Sequence, residues 1–333
     1  MIGPLITGID GISLTSEEKE ILKHPLIAGV ILFTRNFEEN QQLIALCKEI
    51  KACNAQLSIS VDHEGGRVQR FKTGFTAIPS MFEAAKIEEQ SEVLPHIAWT
   101  LAAELLAHNI DFSYTPCVDL KGISEVIKER AFSSDPHAVA VAAEHFITGL
   151  HAATFPSIIK HFPGHGSVGP DSHIAMPVDT RSWNEIEQDL HPFKMLIKKG
   201  LADAVMPAHV IYSEVDSLPA CFSPVWLQSI LREKLAFNGV IISDDMGMQG
   251  AVQIGDYPTR VKAALDAGCD AALLCNDKQG LYQTLDGLDI TQYQNHGARL
   301  IKFNHARYPT LQEVKQDPRW IACQNDINNY YDK

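Results

Sequence analysis

The amino-acid sequence predicts an α/β fold, a single (β/α)8 barrel of the TIM type, from three observations. Eight short apolar runs recur along the 333-residue chain, and a helical pattern follows each of them. The runs are continuously apolar, as expected for parallel strands whose two faces are both covered. No Gly/Ser/Pro-rich linker, low-complexity tract or block of like charges marks a second domain. Strands that alternate with helices imply right-handed parallel crossovers, and eight such units are expected to close into a barrel.

The strands follow from the apolar runs, and the helices from their capping signals. Thr15 with Glu18 forms a capping box, and Pro95 suits a first helical turn. Ser134 or Asp135 is the expected N-cap before Pro136, and Ser223-Pro224 opens a helix in the same way. The predicted strands are Leu5–Asp10, Ala28–Phe33, Leu57–Asp62, Asp111–Pro116, Ser157–His161, Ala202–His209, Val240–Asp244 and Ala271–Cys275.

The C-terminal part differs in composition from the rest of the chain. After about Thr291 the sequence is polar and aromatic, ending in QNDINNYYDK. We expect this extension to pack on the outside of the barrel, so that residues 1–333 form one catalytic domain.

Composition excludes several classes of partner. The chain has 28 Lys and Arg against 41 Asp and Glu, a net charge of −13. This acidic balance argues against nucleic acid and against an anionic membrane surface. Seven scattered cysteines without a C-x-x-C pair indicate reduced thiols. The N-terminus lacks the features of a signal peptide, so we expect a cytoplasmic protein, a monomer or a homodimer, that needs no metal or cofactor.

Polar residues cluster at the carboxyl ends of four predicted strands, where a barrel builds its active site. Charges gathered at one rim must each be desolvated or paired, so stability alone gives no reason for them, although some could simply form salt bridges. The four stretches are VDHEGGRVQRF (Val61–Phe71), KHFPGHG (Lys160–Gly166), MPAH (Met206–His209) and SDD (Ser243–Asp245).

Residues at two of these strand ends limit the kinds of reaction that the site could catalyse. Asp244 directly ends the apolar run GVIIS, which holds its carboxylate rigidly at the barrel mouth, as a nucleophile requires. Asp245 is expected to point elsewhere and to have a structural role. On the loop after the fifth strand, Asp171 and His173 are two residues apart and face the same way in an extended segment. The carboxylate can then orient the imidazole as a general acid/base.

Five motifs in series resemble the bacterial β-N-acetylglucosaminidases of glycoside hydrolase family 3. They span residues 62 to 251 in the order that the family shows, and the strand count covers most of the remainder. The motifs are DHEGGRVQRF, SEVIKERAF, KHFPGHG followed by DSH, AVMPAHVIY, and ISDDMGMQGA.

The resemblance implies roles for individual residues. Asp244 corresponds to the family's nucleophile, His173 to its acid/base and Asp171 to the partner carboxylate of that histidine. Asp62 would accept two hydroxyls of the N-acetylglucosamine ring, since a carboxylate offers bidentate acceptance. The matching donors to the sugar are Arg70, Arg130, Lys160 and His161.

The resemblance also implies the reaction and the substrate. Asp244 would form a covalent glycosyl intermediate, and His173 would protonate the leaving oxygen and then deprotonate water, so that configuration is retained. Many relatives supply a glutamate acid/base from a second domain that we do not recognise in this sequence. The single-barrel form is typical of cytoplasmic cell-wall recycling, with N-acetylglucosaminyl-β-1,4-anhydro-N-acetylmuramic acid, bare or peptide-bearing, as the substrate.

The sequence departs from the family pattern in two places and leaves three alternatives. Lys128-Glu129 stands before Arg130 in place of Gly-Asp, and Met246-Gly247-Met248 replaces Leu-Ser-Met. A β-glucosidase or xylosidase of the same family is one alternative, and a non-enzymatic sugar-binding protein is another. The third is a metal-dependent hydrolase, although Lys160 would repel its cation; its ligands would be His161, His165, His173, His209 and Asp62.

Overall fold

A computed structural model describes residues 2–91, 93–169 and 176–331, together with their side chains except those of 88–91 and 330–331. Within these residues, eight parallel strands form one curved sheet in the spatial order 4-3-2-1-8-7-6-5. The strands are Leu5–Thr7, Ile27–Leu32, Ser58–Val61, Phe112–Ser113, Ile158–Phe162, Ala204–Pro207, Val240–Asp245 and Ala271–Leu274. All eight predicted strands are confirmed, and the fold is a (β/α)8 barrel.

The barrel closes between the fourth and fifth strands through a short irregular segment. The fourth strand pairs regularly with the third only as far as Ser113. The chain then crosses to the fifth strand, where Cys117 bridges Lys160 and the Val118 N–H donates to the Lys160 carbonyl at 2.9 Å. Pro116 lacks an N–H and cannot continue a ladder, which accounts for a fourth strand shorter than predicted.

Helices surround the sheet, and all four expected N-terminal signals are confirmed, including Pro95 in the first turn of its helix. The Thr15–Glu18 capping box is complete, and Asp135 accepts the Ala138 N–H at 2.7 Å. Ser223 Oγ accepts the Trp226 N–H at 3.1 Å at the start of a π-type helix. The helices are Ser16–Ile21, Asn40–Cys53, Met81–Ser91, Leu94–Ala107, Pro136–Ala152, Trp183–Lys198, Val225–Lys234 (π-type), Gln249–Val252, Tyr257–Ala267, Lys278–Gly287, Ile290–Tyr293, Leu311–Gln316 and Pro318–Tyr331.

The last two helices pack against the outer helix Leu94–Ala107. Trp320 Nε1 donates to the buried Glu104 carboxylate at 2.7 Å, and Gln324 Nε2 donates to Thr76 Oγ1 at 2.7 Å. Glu104 also accepts from the Thr76 N–H and hydroxyl, so this carboxylate ties the C-terminal helices to the loop after the third strand.

Among the described residues, no helix combines the length and the apolar character that crossing a membrane requires.

Candidate active site

A cavity of about 370 Å³ opens at the carboxyl ends of the barrel strands, within the usual size range of small-molecule sites. Six of the eight predicted site residues line it, and they come from four different strands or the loops that follow them. Asp171 and His173, the predicted acid/base pair, lie outside the described residues. The six are Asp62, Arg70, Arg130, Lys160, His161 and Asp244.

Asp62 sits at the tip of the third strand, with its side chain 25% exposed. Its Oδ1 lies 3.1 Å from Lys160 Nζ, and its Oδ2 lies 3.5 Å from the Arg70 guanidinium. The sequence allowed that some charges at this rim form salt bridges with each other, and these two ion pairs show that they do. They place Asp62 beside two cations while leaving part of it open to the cavity.

Glu64 forms the floor of the cavity, and the sequence analysis did not single it out. Its carboxylate accepts a bidentate pair from Arg130, at 2.7 and 2.9 Å, and lies 2.6 Å from Lys160 Nζ. The Glu64 side chain is only 1% exposed and that of Lys160 3%. Burial alone would raise the pKa of Glu64, but Arg130 and Lys160 outweigh it and hold that pKa far below its usual value.

The same network fixes the two cations. Burial lowers the pKa of Lys160, but the Asp62 and Glu64 carboxylates outweigh that effect and raise it, so the ammonium keeps its charge. Arg130 lies in a 3-10 turn, Lys128–Arg130, and also donates to the Val126 carbonyl at 3.2 Å. The unusual Lys128-Glu129 pair therefore does not displace Arg130 from the cavity.

His161 is oriented by a buried aspartate that the sequence analysis also missed. Asp119 Oδ2 lies 2.6 Å from His161 Nδ1, while Asp119 Oδ1 accepts the backbone N–H groups of His161 and His165 at 3.1 and 2.7 Å. Burial would raise the pKa of Asp119, but His161 outweighs it and the pKa falls to about 2. Because an ionised carboxylate can only accept hydrogen bonds, the proton in this bond is assigned to His161 Nδ1. The other ring nitrogen, Nε2, lies 3.4 Å from Arg130.

Asp244 lies where the seventh strand meets the cavity and is half-buried. Its Oδ1 accepts the N–H of Asp245 at 2.8 Å. Asp245 is bound differently, because its Oδ1 accepts the N–H groups of Gly247 at 3.0 Å and Cys275 at 3.2 Å. Burial raises the pKa of Asp245. These bonds tie the seventh strand to the end of the eighth, as a structural role for Asp245 requires, but Asp245 lines the same cavity as Asp244 and does not point away from it.

The described members of the alternative metal site do not converge on one point. His209 is fully buried, stacks on Phe222 and places Nε2 3.1 Å from the Asp245 carbonyl. Among the described residues, three donors lie close enough to share a cation, namely Cys117, Asp119 and His161. Their atoms are joined by their own hydrogen bonds: Cys117 Sγ donates to Asp119 at 3.2 Å, and His161 Nδ1 does so as well.

The cavity combines a charged floor with apolar walls. The floor offers ammonium, guanidinium and carboxylate groups already oriented by ion pairs, and such groups bind hydroxyls with little reorganisation. The walls can cover the C–H faces of a sugar ring. The apolar and aromatic residues in them are Ile31, Phe33, Val68, Tyr114, Val126, Met206, Met248, Leu273 and Cys275.

Both missed residues had a signal in the sequence. Glu64 is two positions after Asp62, so in an extended segment it faces the same way, by the alternation already applied to Asp171 and His173. Asp119 closes the apolar stretch FSYTPCV after the fourth strand, in the same way that Asp244 closes GVIIS.

Comparison with known proteins gives concordant matches. Residues 6–300 match the glycosyl hydrolase family 3 N terminal domain. A "Beta-hexosaminidase" of Tolumonas auensis is 49% identical over 98% of this chain and 97% of its own, and one of Psychromonas ingrahamii is 47% identical over 96% of each. The crystal structure of NagZ from Neisseria gonorrhoeae in complex with N-trifluoroacetyl-D-glucosamine superimposes with a TM-score of 0.90, at 40% identity over 98% and 97% of the two chains.

Proposed function

The chain belongs to glycosyl hydrolase family 3 and is a glycoside hydrolase of the β-hexosaminidase type, and we propose that it is a retaining exo-β-N-acetylglucosaminidase of cell-wall recycling. Its proposed substrate is N-acetylglucosaminyl-β-1,4-anhydro-N-acetylmuramic acid, with or without the stem peptide. The enzyme would remove the terminal N-acetylglucosamine in the cytoplasm, as one catalytic domain, alone or as a homodimer.

One observation carries the proposal: Asp244 lines the same cavity as five groups suited to holding a sugar. Asp62 is a partly exposed carboxylate that can accept two adjacent hydroxyls, one on each oxygen. Arg130 and Lys160 are fixed by Glu64 and present their remaining N–H groups as donors. A sugar bound by this floor would have its anomeric carbon within the cavity that Asp244 faces.

In the proposed reaction, an Asp244 carboxylate oxygen attacks the anomeric carbon while the bond to the leaving oxygen breaks. His173 donates a proton to that oxygen, and Asp171 stabilises the protonated imidazole that precedes the transfer. His173 then takes a proton from water, whose oxygen displaces Asp244 at the anomeric carbon. Two displacements at one centre retain the configuration.

A histidine suits the acid/base role in this site for an electrostatic reason. The cavity already holds Asp62, Glu64, Asp244 and Asp245, so a further carboxylate would add repulsion and would need a raised pKa to act as an acid. An imidazole changes protonation near neutral pH without such a shift.

The sugar assignment is supported by the relatives. The Neisseria gonorrhoeae protein was crystallised with N-trifluoroacetyl-D-glucosamine, an N-acylated glucosamine of the kind proposed here as the glycon. Because that protein and this chain align over nearly their full lengths, we extend the same sugar class to this cavity.

Trapping of the intermediate tests the proposal. A 5-fluoro-N-acetylglucosaminyl fluoride should add one sugar to the protein, and peptide mass spectrometry should place it on Asp244. The 5-fluoro-glucosyl analogue is the matched control and should label slowly or not at all, which separates the proposal from a β-glucosidase. Label on another residue would refute the nucleophile, and faster labelling by the glucosyl reagent would refute the sugar.

The acid role of His173 needs a second comparison. His173→Ala should slow hydrolysis of a disaccharide, whose leaving group needs a proton, far more than hydrolysis of p-nitrophenyl β-N-acetylglucosaminide. An equal loss on both substrates would contradict the role.

A further inference from the structure

Arg67 occupies the mouth of the cavity, at the turn of a short hairpin formed by His63–Gly65 and Val68–Gln69. Its side chain is exposed, and one NH2 group donates to the Val126 carbonyl on the facing loop. Arg130 donates to the same carbonyl at 3.2 Å. Two guanidinium groups therefore meet at one backbone oxygen, one of them on the floor and the other at the mouth.

The two arginines differ in how their charge is balanced. Arg130 has the bidentate Glu64 pair, Lys160 has Asp62 and Glu64, and Arg70 lies 3.5 Å from Asp62. Among the residues that the structure describes, no carboxylate lies within ion-pair distance of Arg67. Partial burial and then the neighbouring Arg130 lower the pKa of Arg67, so the guanidinium lies where added negative charge would be favourable.

The position of Arg67 relative to the floor decides which part of a substrate it meets. Lys160 and Glu64 are almost completely buried, whereas Arg67 is exposed. An exo-acting enzyme takes the terminal sugar to the closed end of its cavity, so the group on the other side of the glycosidic oxygen stays at the mouth. In that orientation Arg67 would lie beside the leaving group and not beside the sugar that Asp62 would hold.

We infer that Arg67 forms a leaving-group subsite that selects substrates carrying a carboxylate on the leaving group. The inference rests on the proposed function and adds a residue and a chemical class to it. A planar guanidinium binds a carboxylate through two parallel N–H···O bonds, which a neutral sugar cannot reproduce. Two carboxylates fit this chemistry: the lactyl group of an anhydromuramic acid without peptide, and the acidic groups of a stem peptide.

The test measures kcat/KM for three substrates with the full chain. These are N-acetylglucosaminyl-β-1,4-anhydro-N-acetylmuramic acid, the same disaccharide with its stem peptide, and the neutral N,N′-diacetylchitobiose. For Arg67→Met, the ratio of kcat/KM on an acidic substrate to kcat/KM on the neutral one should fall about tenfold, chiefly through KM. Arg67→Lys should keep more of the ratio, because it retains the charge but not the fork. Arg307→Met removes a positive charge from the exposed C-terminal segment and is the control for net charge.

The two carboxylate sources give different outcomes, and both support the inference. If the kcat/KM ratio falls for the bare disaccharide, the lactyl carboxylate is the group that Arg67 binds. If it falls only for the peptide-bearing disaccharide, the group belongs to the stem peptide. Equal losses on all three substrates would overturn it, since Arg67 would then only join the two loops.

Salt dependence of the unmodified protein is an independent measurement that needs no variant to fold. Raising NaCl from about 0.02 to about 0.5 M should reduce the preference for the acidic substrate, because ions screen an exposed pair. A preference that does not change with salt would also overturn the inference. No turnover of any substrate would instead refute the proposed function.

Discussion

Three consecutive residues after the third strand show two ways of burying an ionisable side chain. Asp62 and Glu64 face the cavity, where Glu64 makes charge-assisted bonds to Arg130 and Lys160. His63, between them, faces the core, where its ring lies 5.9 Å from that of Phe71 and 5.6 Å from that of Phe75. Phe75 in turn stacks on buried His108 at 4.3 Å. Side chains alternate along an extended chain, so neighbours in sequence enter opposite environments.

The comparison teaches that partners, and not burial, decide whether a buried group is charged. Glu64 is as buried as His63, yet two cations hold its pKa far below the usual value. Within the described part of the chain no opposite charge offsets the burial of His63, which lowers its pKa to about 3, so it is neutral in the folded protein. Among the described residues its Nδ1 has no hydrogen-bond partner. The residues on the cavity face therefore carry charges that can bind a ligand, whereas His63 on the core face is neutral and contributes to packing.

The largest effect on activity is expected from Asp244→Ala, at the cavity lining of the seventh strand. Loss of the proposed nucleophile should reduce kcat on p-nitrophenyl β-N-acetylglucosaminide by at least about a thousandfold, since a covalent step has no substitute. Steady-state kinetics with a thermal melt as folding control measures it. A residual rate above a few per cent would remove Asp244 from the reaction.

Glu64→Gln should give the next largest effect. The variant keeps the shape of the side chain but leaves Arg130 and Lys160 without their shared carboxylate, so kcat/KM should fall about a hundredfold, and stability by about 3 kcal/mol. The pKa of Lys160 should also fall, because Glu64 helps to raise it, and the alkaline limb of the kcat/KM profile should move to lower pH.

The adjacent His63→Phe is the matched control for that experiment, since it alters the core face of the same hairpin. Its kcat/KM should stay within about twofold of the unmodified protein, as expected for a buried residue away from the bound sugar. Similar losses of kcat/KM in both variants would show that the two faces do not act separately.

Asp119→Asn should have a smaller effect on catalysis. The amide can still accept the backbone N–H groups of His161 and His165, but it no longer fixes the proton on His161 Nδ1. We expect kcat/KM to fall about tenfold, with an altered pH profile as the sign of a changed histidine. An unchanged profile with lower thermal stability would mean that Asp119 acts on structure alone.

The two histidines of the core face, His63 and His108, should affect activity least. They should, however, make the free energy of unfolding depend clearly on pH. Burial lowers the pKa of His63 to about 3 and that of His108 to about 4, both below the ordinary 6.5. The unfolded chain therefore binds more protons below pH 6.5, and stability is lost as the pH falls from 6.5 towards these values. At pH 5 each histidine should cost about 2 kcal/mol.

Denaturant unfolding of the unmodified protein and of His63→Phe between about pH 5 and pH 7.5 measures this cost, because titrations common to both proteins cancel in the difference. His63→Phe should reduce the loss by about 2 kcal/mol, since His108 and other buried histidines of lowered pKa, such as His209, remain. A variant that loses as much stability as the unmodified protein would show that His63 is not the group that titrates.

Much of the fold could be predicted because its signals are local. Each strand is a run of a few apolar residues, and each capping signal lies within four positions, as at Thr15 and Asp135. The site could be predicted in part because barrel strands bring their carboxyl ends to one rim, which placed Asp62, Lys160 and Asp244 together in advance.

The sequence by itself determined which residue types reach that rim, and the tertiary structure decided which of them pair. Glu64 meets Arg130 across 66 positions, and Asp119 meets His161 across 42. Residue type predicts that a buried charge needs a partner but not which one. The reason is physical: the energy of an ion pair depends on separation and solvent exposure, and both are set only when the strands close the barrel.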